Sequence, residues 1–137
     1  IVYRGPSGGA GRGETAPAAG PWRRTLVPDP VLLFRFSAVT FNGHRIHYDD
    51  PFVREVEGYP GLVVHGPLVA ALLLDLVRRE RPDATVAAFS FRALAPFFAG
   101  EPLHLDGAPQ PDGTIALWAA NGAGEVGMRA EARLAAA

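Results

Sequence analysis

One segment limits the possible folds more than any other: GPLVAALLLDLVRRERP, residues 66–82. Pro67 is suited to the first turn of a helix, and arginines fall in the last turn, where positive charge is favoured. Before Asp75 the segment is apolar on nearly all sides. A helix of this kind must be buried, so we expect something larger than one face of a sheet to wrap around it.

The rest of the sequence supplies this wrapping. The later segments alternate, or nearly alternate, apolar and polar residues, with breaks at 99–100, 109–113 and 121–124, as in an antiparallel meander. Before the helix, Val31–Phe41 is rich in Val and Phe and is interpreted as a strand, and residues 50–56 as a short helix that begins at an Asp-Pro pair. The sequence therefore predicts an α+β domain in which a curved antiparallel sheet wraps around a long central helix.

The N-terminal part has a different composition. Residues 5–21 are almost wholly Gly, Ala, Pro, Ser and Thr, and they lack the large apolar side chains that offset the entropy lost on ordering. We therefore interpret residues 1–30 as a flexible linker or arm and residues 31–137 as the folded domain. The chain starts with Ile1 rather than Met, which suggests a separated half of a longer protein.

Composition also argues against several classes of function. The sequence has no cysteine, which excludes disulfides and thiolate metal sites and fits a reducing cytoplasm. The formal net charge is −1, and the 13 basic residues, all arginine, are scattered, so nucleic acid is not an expected partner. No apolar run reaches the ~18 residues that a membrane span needs. We expect a cytoplasmic protein.

A dense polar cluster, NGHRIHYDD, follows the apolar stretch that ends at Phe41. It contains His44 and His47, and imidazole exchanges protons near neutral pH. Further on, Gly66 begins the long helix, where unpaired N–H groups and the helix dipole favour negative charge. The spacing of the two histidines and Asp49 fits no zinc signature, so we expect neither a metal nor another cofactor.

The cluster resembles the signature of the MaoC-like hydratases and dehydratases, D-x-N-P-I/L-H-x-D, with a later V-H-G at the start of the central helix. Here Asn42 stands at the position of the catalytic Asp, His47 at that of the catalytic His, and V-H-G ends at Gly66. The form F-S-A-V-T-F-N-G-H-R-I-H-Y-D is most similar to mitochondrial-type 3-hydroxyacyl-thioester dehydratases and mesaconyl/itaconyl-CoA hydratases. The resemblance covers residues 31–134 and implies a hotdog fold.

The resemblance also implies an activity: an enoyl-thioester hydratase or 3-hydroxyacyl-thioester dehydratase that acts on acyl groups carried by CoA or acyl carrier protein. His47 would exchange a proton with water, and the Gly66 amide would bind the thioester oxygen as negative charge develops on it. Asn42 cannot carry a proton as an Asp does, so we expect it to orient the water. Asp49 is expected to orient the His47 imidazole.

Three further residues are candidates for substrate binding. Arg45 is suited to a phosphate of CoA or a carboxylate of the acyl group, and equally to a neighbouring Asp. Tyr59 is suited either to lining the acyl pocket or to packing. His65, in the V-H-G, is either a substrate contact or a structural residue.

The partner implied by the resemblance is a second hotdog unit. In this branch two units commonly occupy one chain, the active one C-terminal, and the acyl tunnel lies between units. We therefore expect a homo- or heterodimer with His47 near the shared tunnel. Two alternatives stay open: a non-catalytic hotdog half that supports a partner, which Asn42 favours, and an acyl-CoA thioesterase, which would need a carboxylate where Asn42 stands.

Overall fold

The computed structural model describes residues 14–136. All five of its strands form one antiparallel sheet in the order β1-β3-β4-β5-β2. The elements along the chain are β1 (Trp22–Leu26), α1 (Pro30–Val39), a 3₁₀ helix (Arg45–His47), α2 (Asp50–Glu55), α3 (Gly66–Glu80), β2 (Val86–Ala93), β3 (Leu103–Pro109), β4 (Thr114–Asn121) and β5 (Val126–Leu134).

The helix α3 lies against the sheet at the centre of the core. The predicted α+β architecture, an antiparallel sheet with a long buried helix, is confirmed, as are the strands after that helix. Among residues 14–136, no helix is long and apolar enough to cross a membrane. The core side chains of α3 are Leu68, Val69, Ala70, Leu73, Leu76 and Val77, and those of the strands include Leu103, Leu105, Ile115, Leu117 and Met128.

The prediction that Val31–Phe41 forms a strand is wrong, because most of this segment belongs to the helix α1. Asp29 caps this helix by accepting a hydrogen bond from Leu32 N at 2.7 Å, and Pro30 lies in the first turn. These start signals outweigh the weak strand preference of Val and Phe. Because the segment is helical, Ser37 lies on its buried face and points toward the core.

The folded domain also begins earlier than the predicted residue 31, because β1 pairs with β3 along its whole length. Asp106, fully buried in β3, anchors this end of the chain by accepting hydrogen bonds from Gly20 N at 3.0 Å and Arg23 Nε at 3.1 Å. Further upstream, Ala16 N donates to Gly124 O at 2.7 Å. The predicted arm is therefore ordered over much of its described part, and residues 1–13 lie outside the described residues.

Candidate active site

His47 ends the 3₁₀ helix that follows α1, and its imidazole is only 7% exposed. Its Nδ1 lies 2.7 Å from the carbonyl oxygen of Val63. A carbonyl oxygen can only accept a hydrogen bond, so in the neutral ring Nδ1 carries the proton and Nε2 carries the lone pair. The Val63 amide donates to Ile46 O at 2.9 Å, which ties the two loops together. His47 is thus held in the tautomer whose Nε2 lone pair is able to accept a proton.

The ring of His65 lies flat against that of His47, with centroids 3.7 Å apart and planes 16° apart. His65 is 1% exposed, and its Nε2 lies 2.7 Å from Ser37 Oγ. Its Nδ1 is buried and finds no hydrogen-bond partner among residues 14–136. This burial fits the structural interpretation of His65 and leaves little of the ring for a substrate to touch.

Burial also sets the charge of this histidine pair. It lowers the pKa of His65 to about 4, with a smaller contribution from the charge of His47. The pKa of His47 is lowered as well, first by burial and then by the charge of His44, while the hydrogen bond to Val63 raises it. Both rings are therefore neutral at neutral pH, and in that state His47 can accept a proton.

Gly66 is the first residue of α3 and directly follows His65. Its amide belongs to the N-terminal N–H groups that have no partner within the helix, and Pro67 next to it has no N–H at all. A Cβ built on Gly66 would meet no atom within 4 Å, so the space beside this backbone is open. The helix dipole favours negative charge there. An amide suited to stabilising negative charge thus lies one residue from the ring that stacks on His47.

Asn42 and His44 form the turn that leads from α1 into the 3₁₀ helix. Asn42 N donates to Ser37 O at 2.9 Å, and Asn42 Oδ1 accepts from His44 N at 3.1 Å. Because this oxygen already binds the turn, the amide protons of Asn42 are the groups best suited to hold a water. His44 is exposed, and its ring centroid lies 5.8 Å from that of His47.

Arg45 and Asp49 pair with each other. Asp49 Oδ2 accepts from Arg45 Nη2 at 2.9 Å and from Nε at 3.0 Å, and Asp49 Oδ1 caps α2 by accepting from Phe52 N at 3.1 Å. These bonds, that of Phe52 first, lower the pKa of the Asp49 carboxyl. The Arg45 guanidinium also lies 4.1 Å from the centre of the Phe52 ring. The expectation that Asp49 orients His47 is not met, because the Val63 carbonyl takes that position.

Tyr59 lies in the loop before α3, where its ring packs against Phe98 with centroids 6.0 Å apart. Two surface clefts, of about 610 and 320 Å³, lie elsewhere: one beside the C-terminal end of α3 and one over β2 and β5. Neither is lined by His47 or Gly66. Within the described part of the chain, no group of three His, Asp or Glu side chains is arranged to hold a metal ion.

Residues 1–99 match the family model of hydroxyacyl-thioester dehydratase type 2, abbreviated Htd2. The chain belongs to this family. It is 49% identical over 136 residues to the mesaconyl-C(4)-CoA hydratase of Chloroflexus aurantiacus, an alignment that covers 85% of this chain and 46% of that protein. The chain thus spans about half the length of this curated relative.

Solved structures share the fold at low sequence identity. The (R)-hydratase from A. caviae involved in PHA biosynthesis superposes with a TM-score of 0.70 at 20% identity, over 90% of this chain and 96% of that one. The complex of HadBC, a 3R-hydroxyacyl-ACP dehydratase from Mycobacterium tuberculosis, gives 0.66 at 18%, over 88% and 99%. The hotdog fold implied by the sequence resemblance is confirmed.

In this Htd2-family chain the structure brings together some of the predicted site residues and separates others. His47, His65 and Gly66 form one contiguous group, and Asn42 and His44 lie in the turn beside it. Sequence reasoning missed Ser37 and the Val63 carbonyl. No signal in the sequence gave the carbonyl, whereas the Asp-Pro start of α1 was a signal for the helix that turns Ser37 inward.

Proposed function

We propose that this chain is a hydro-lyase that adds water to an enoyl thioester or removes it from a 3-hydroxyacyl thioester. One observation carries the proposal: a neutral histidine fixed with its Nε2 lone pair available stacks on the residue that precedes an open helix N-terminus. Hydration needs a base for water and a donor for charge on the thioester oxygen. His47 and the Gly66 amide supply these two functions.

In the hydration direction, His47 Nε2 removes a proton from water as the water oxygen bonds to C3. The C2–C3 π electrons move toward C2 and the thioester oxygen, where the Gly66 N–H stabilises the charge. The imidazolium of His47 then returns its proton to C2, and the ring becomes neutral again. Dehydration is the reverse sequence. The Asn42 side chain orients the water but carries no proton.

The acyl group and its carrier are held, in this proposal, by Arg45 and Tyr59. The Arg45 guanidinium uses two of its N–H donors on Asp49, which leaves donors for a CoA phosphate or for an acyl carboxylate. The relative named mesaconyl-C(4)-CoA hydratase supports CoA as the carrier. We also propose a cytoplasmic location, because a sequence without cysteine is suited to a reducing compartment.

We further propose that the site is completed by a second hotdog unit, with this chain as the active, C-terminal-type half. Three observations support the assembly. The outer edge of β2 is unpaired within the described residues. The helix α1 and the turn after it expose apolar side chains, up to 96% at Phe41. The chain matches 46% of its curated relative, and the HadBC neighbour is a complex. These exposed side chains are Val31, Phe34 and Val39 of α1 and Phe41 of the turn.

An assay with CoA thioesters tests the function. The purified chain is incubated with crotonyl-CoA and mesaconyl-CoA, and loss of the conjugated enone absorbance is followed together with release of free thiol. Water addition without thiol release supports the hydro-lyase. Thiol release identifies a thioesterase, and the absence of both reactions supports the non-catalytic half, which the replacement of Asp by Asn42 favours.

Sedimentation at micromolar concentration tests the assembly. We expect a dimer that buries on the order of 1,600 Å² in total, as stable interfaces do. A monomer that is fully active on short enoyl-CoA substrates would show that the second unit is not needed.

A further inference from the structure

Ser37 and His65 form a buried polar pair that the proposed reaction does not itself use. The pair connects α1 to the start of α3 across 28 residues of sequence, through a 2.7 Å contact between Ser37 Oγ and His65 Nε2. Both residues are buried. Buried polar groups of this kind cost free energy unless they are paired, so the contact holds the His65 ring in one orientation.

The unpaired Nδ1 of His65 indicates the direction of this hydrogen bond. If the Ser37 hydroxyl donated to Nε2, Nδ1 would carry a buried proton with no acceptor among the described residues. If Nε2 donates to Oγ, Nδ1 has only an unpaired lone pair, which is the less costly arrangement. The proton of the neutral ring therefore lies on Nε2, and Ser37 is its acceptor.

We propose that Ser37 and His65 are positioning residues for His47: the Ser37 hydroxyl fixes the His65 ring, and that ring is the platform against which His47 is held. The stack, at 3.7 Å and 16°, covers one face of His47, while the Val63 carbonyl fixes its edge. Together these contacts determine both the plane and the rotation of the catalytic ring. A displacement of about 1 Å at such a base costs up to ~10² in rate.

The platform also has to be uncharged. His47 gains a proton during the reaction, and a second positive charge stacked on it would oppose that step. Burial keeps His65 neutral, and the Ser37 hydroxyl accepts a hydrogen bond from the one N–H of that neutral ring. Among residues 14–136, the other titratable side chain packed against the stack is that of His44, on the turn before the 3₁₀ helix.

Four variants test this inference, which rests on the proposed function for its kinetic part. Ser37→Ala removes the acceptor, His65→Leu removes the ring, and His65→Phe keeps a flat ring without Nε2. Thr40→Ala is the matched control, because it also removes a hydroxyl from the end of α1, where Thr40 Oγ1 bonds only the Phe36 carbonyl.

We expect Ser37→Ala and His65→Leu to lower kcat by about tenfold or more with little change in KM, since they disturb the geometry of the base rather than substrate binding. His65→Phe retains more activity than His65→Leu. Adding Ser37→Ala to His65→Phe causes no further loss, because Ser37 acts through His65. Thr40→Ala keeps the wild-type kcat. A wild-type kcat in Ser37→Ala would overturn the inference.

A second readout does not require activity. In protein labelled with ¹⁵N at histidine, the ring nitrogen shifts of His47 at neutral pH should show a proton on Nδ1 in the wild type and a mixture of tautomers in Ser37→Ala. Unchanged His47 shifts in both Ser37→Ala and His65→Leu would refute the platform. Changed shifts in a chain without hydratase activity would support the platform and count against the proposed function alone.

Discussion

The stability of this protein should fall between pH 8 and pH 5, and much of that fall should come from His65. Burial lowers the pKa of this ring from 6.5 to about 4. Between these values the unfolded chain binds a proton at this residue and the folded protein does not, so acid favours unfolding. The stabilisation present above pH 6.5 is therefore lost progressively as pH falls toward 4.

The size of the effect follows from the two pKa values. With 6.5 in the unfolded chain and about 4 in the folded protein, His65 alone makes the free energy of unfolding about 2 kcal/mol smaller at pH 5 than at pH 8. The pKa of His47 is lowered too and adds a loss in the same direction. His65→Phe removes only the first contribution, so the comparison of the two proteins isolates it.

Urea unfolding at pH 8, 7, 6 and 5 measures the difference. The wild type should lose more of its free energy of unfolding over this range than His65→Phe does, by about 2 kcal/mol. The same pH dependence in both proteins would refute the reasoning, because it would mean that the His65 ring is solvated or charged in the folded state.

Substitutions at three other positions have defined outcomes. Asp106→Ala should reduce the free energy of unfolding by about 2 kcal/mol in urea titrations, because it removes the charged acceptor of the hydrogen bonds from Gly20 N and Arg23 Nε, while the half-exposed Arg23 can still be solvated. A loss below ~0.5 kcal/mol, as at an ordinary surface site, would contradict that anchor. Asn42→Asp should keep measurable activity, and Asn42→Ala should lower kcat by ~10-fold or more. A wild-type kcat in Asn42→Ala would show that another group positions the water. Gly66→Ala should fold normally, since open space surrounds the position. Its kcat/KM should fall by ~10², because the methyl group blocks approach of the substrate to the amide. Wild-type kinetics would exclude Gly66 as the oxyanion donor.

The sequence predicted best what depends on local pattern. The Pro-initiated apolar run predicted α3 with its start at Gly66, because Pro67 in the first turn and the arginines in the last turn are signals that act within one helix. The alternation of apolar and polar residues predicted β3, β4 and β5, again because this pattern lies within each strand. The family resemblance predicted that the histidine cluster and the V-H-G lie together, and in the structure His47 stacks on His65, the residue before Gly66.

What could not be predicted depends on contacts between distant segments. The strand β1 is short and flanked by prolines, and it is stabilised by pairing with β3 and by the buried carboxylate of Asp106. The partner of His47 is a backbone carbonyl, at Val63, and any residue type can supply such a group. Asp49 was nearer in sequence, but Arg45 and the start of α2 already use its oxygens.

The most direct test of the central claim is the rate of water addition to an enoyl-CoA by the wild-type chain and by His47→Ala, measured side by side with circular dichroism as the check on folding. The imidazole makes its key bond to a backbone carbonyl and supplies proton transfer, so we expect a folded variant whose hydration rate falls by at least ~10². A folded His47→Ala chain that hydrates the substrate at the wild-type rate would contradict the account.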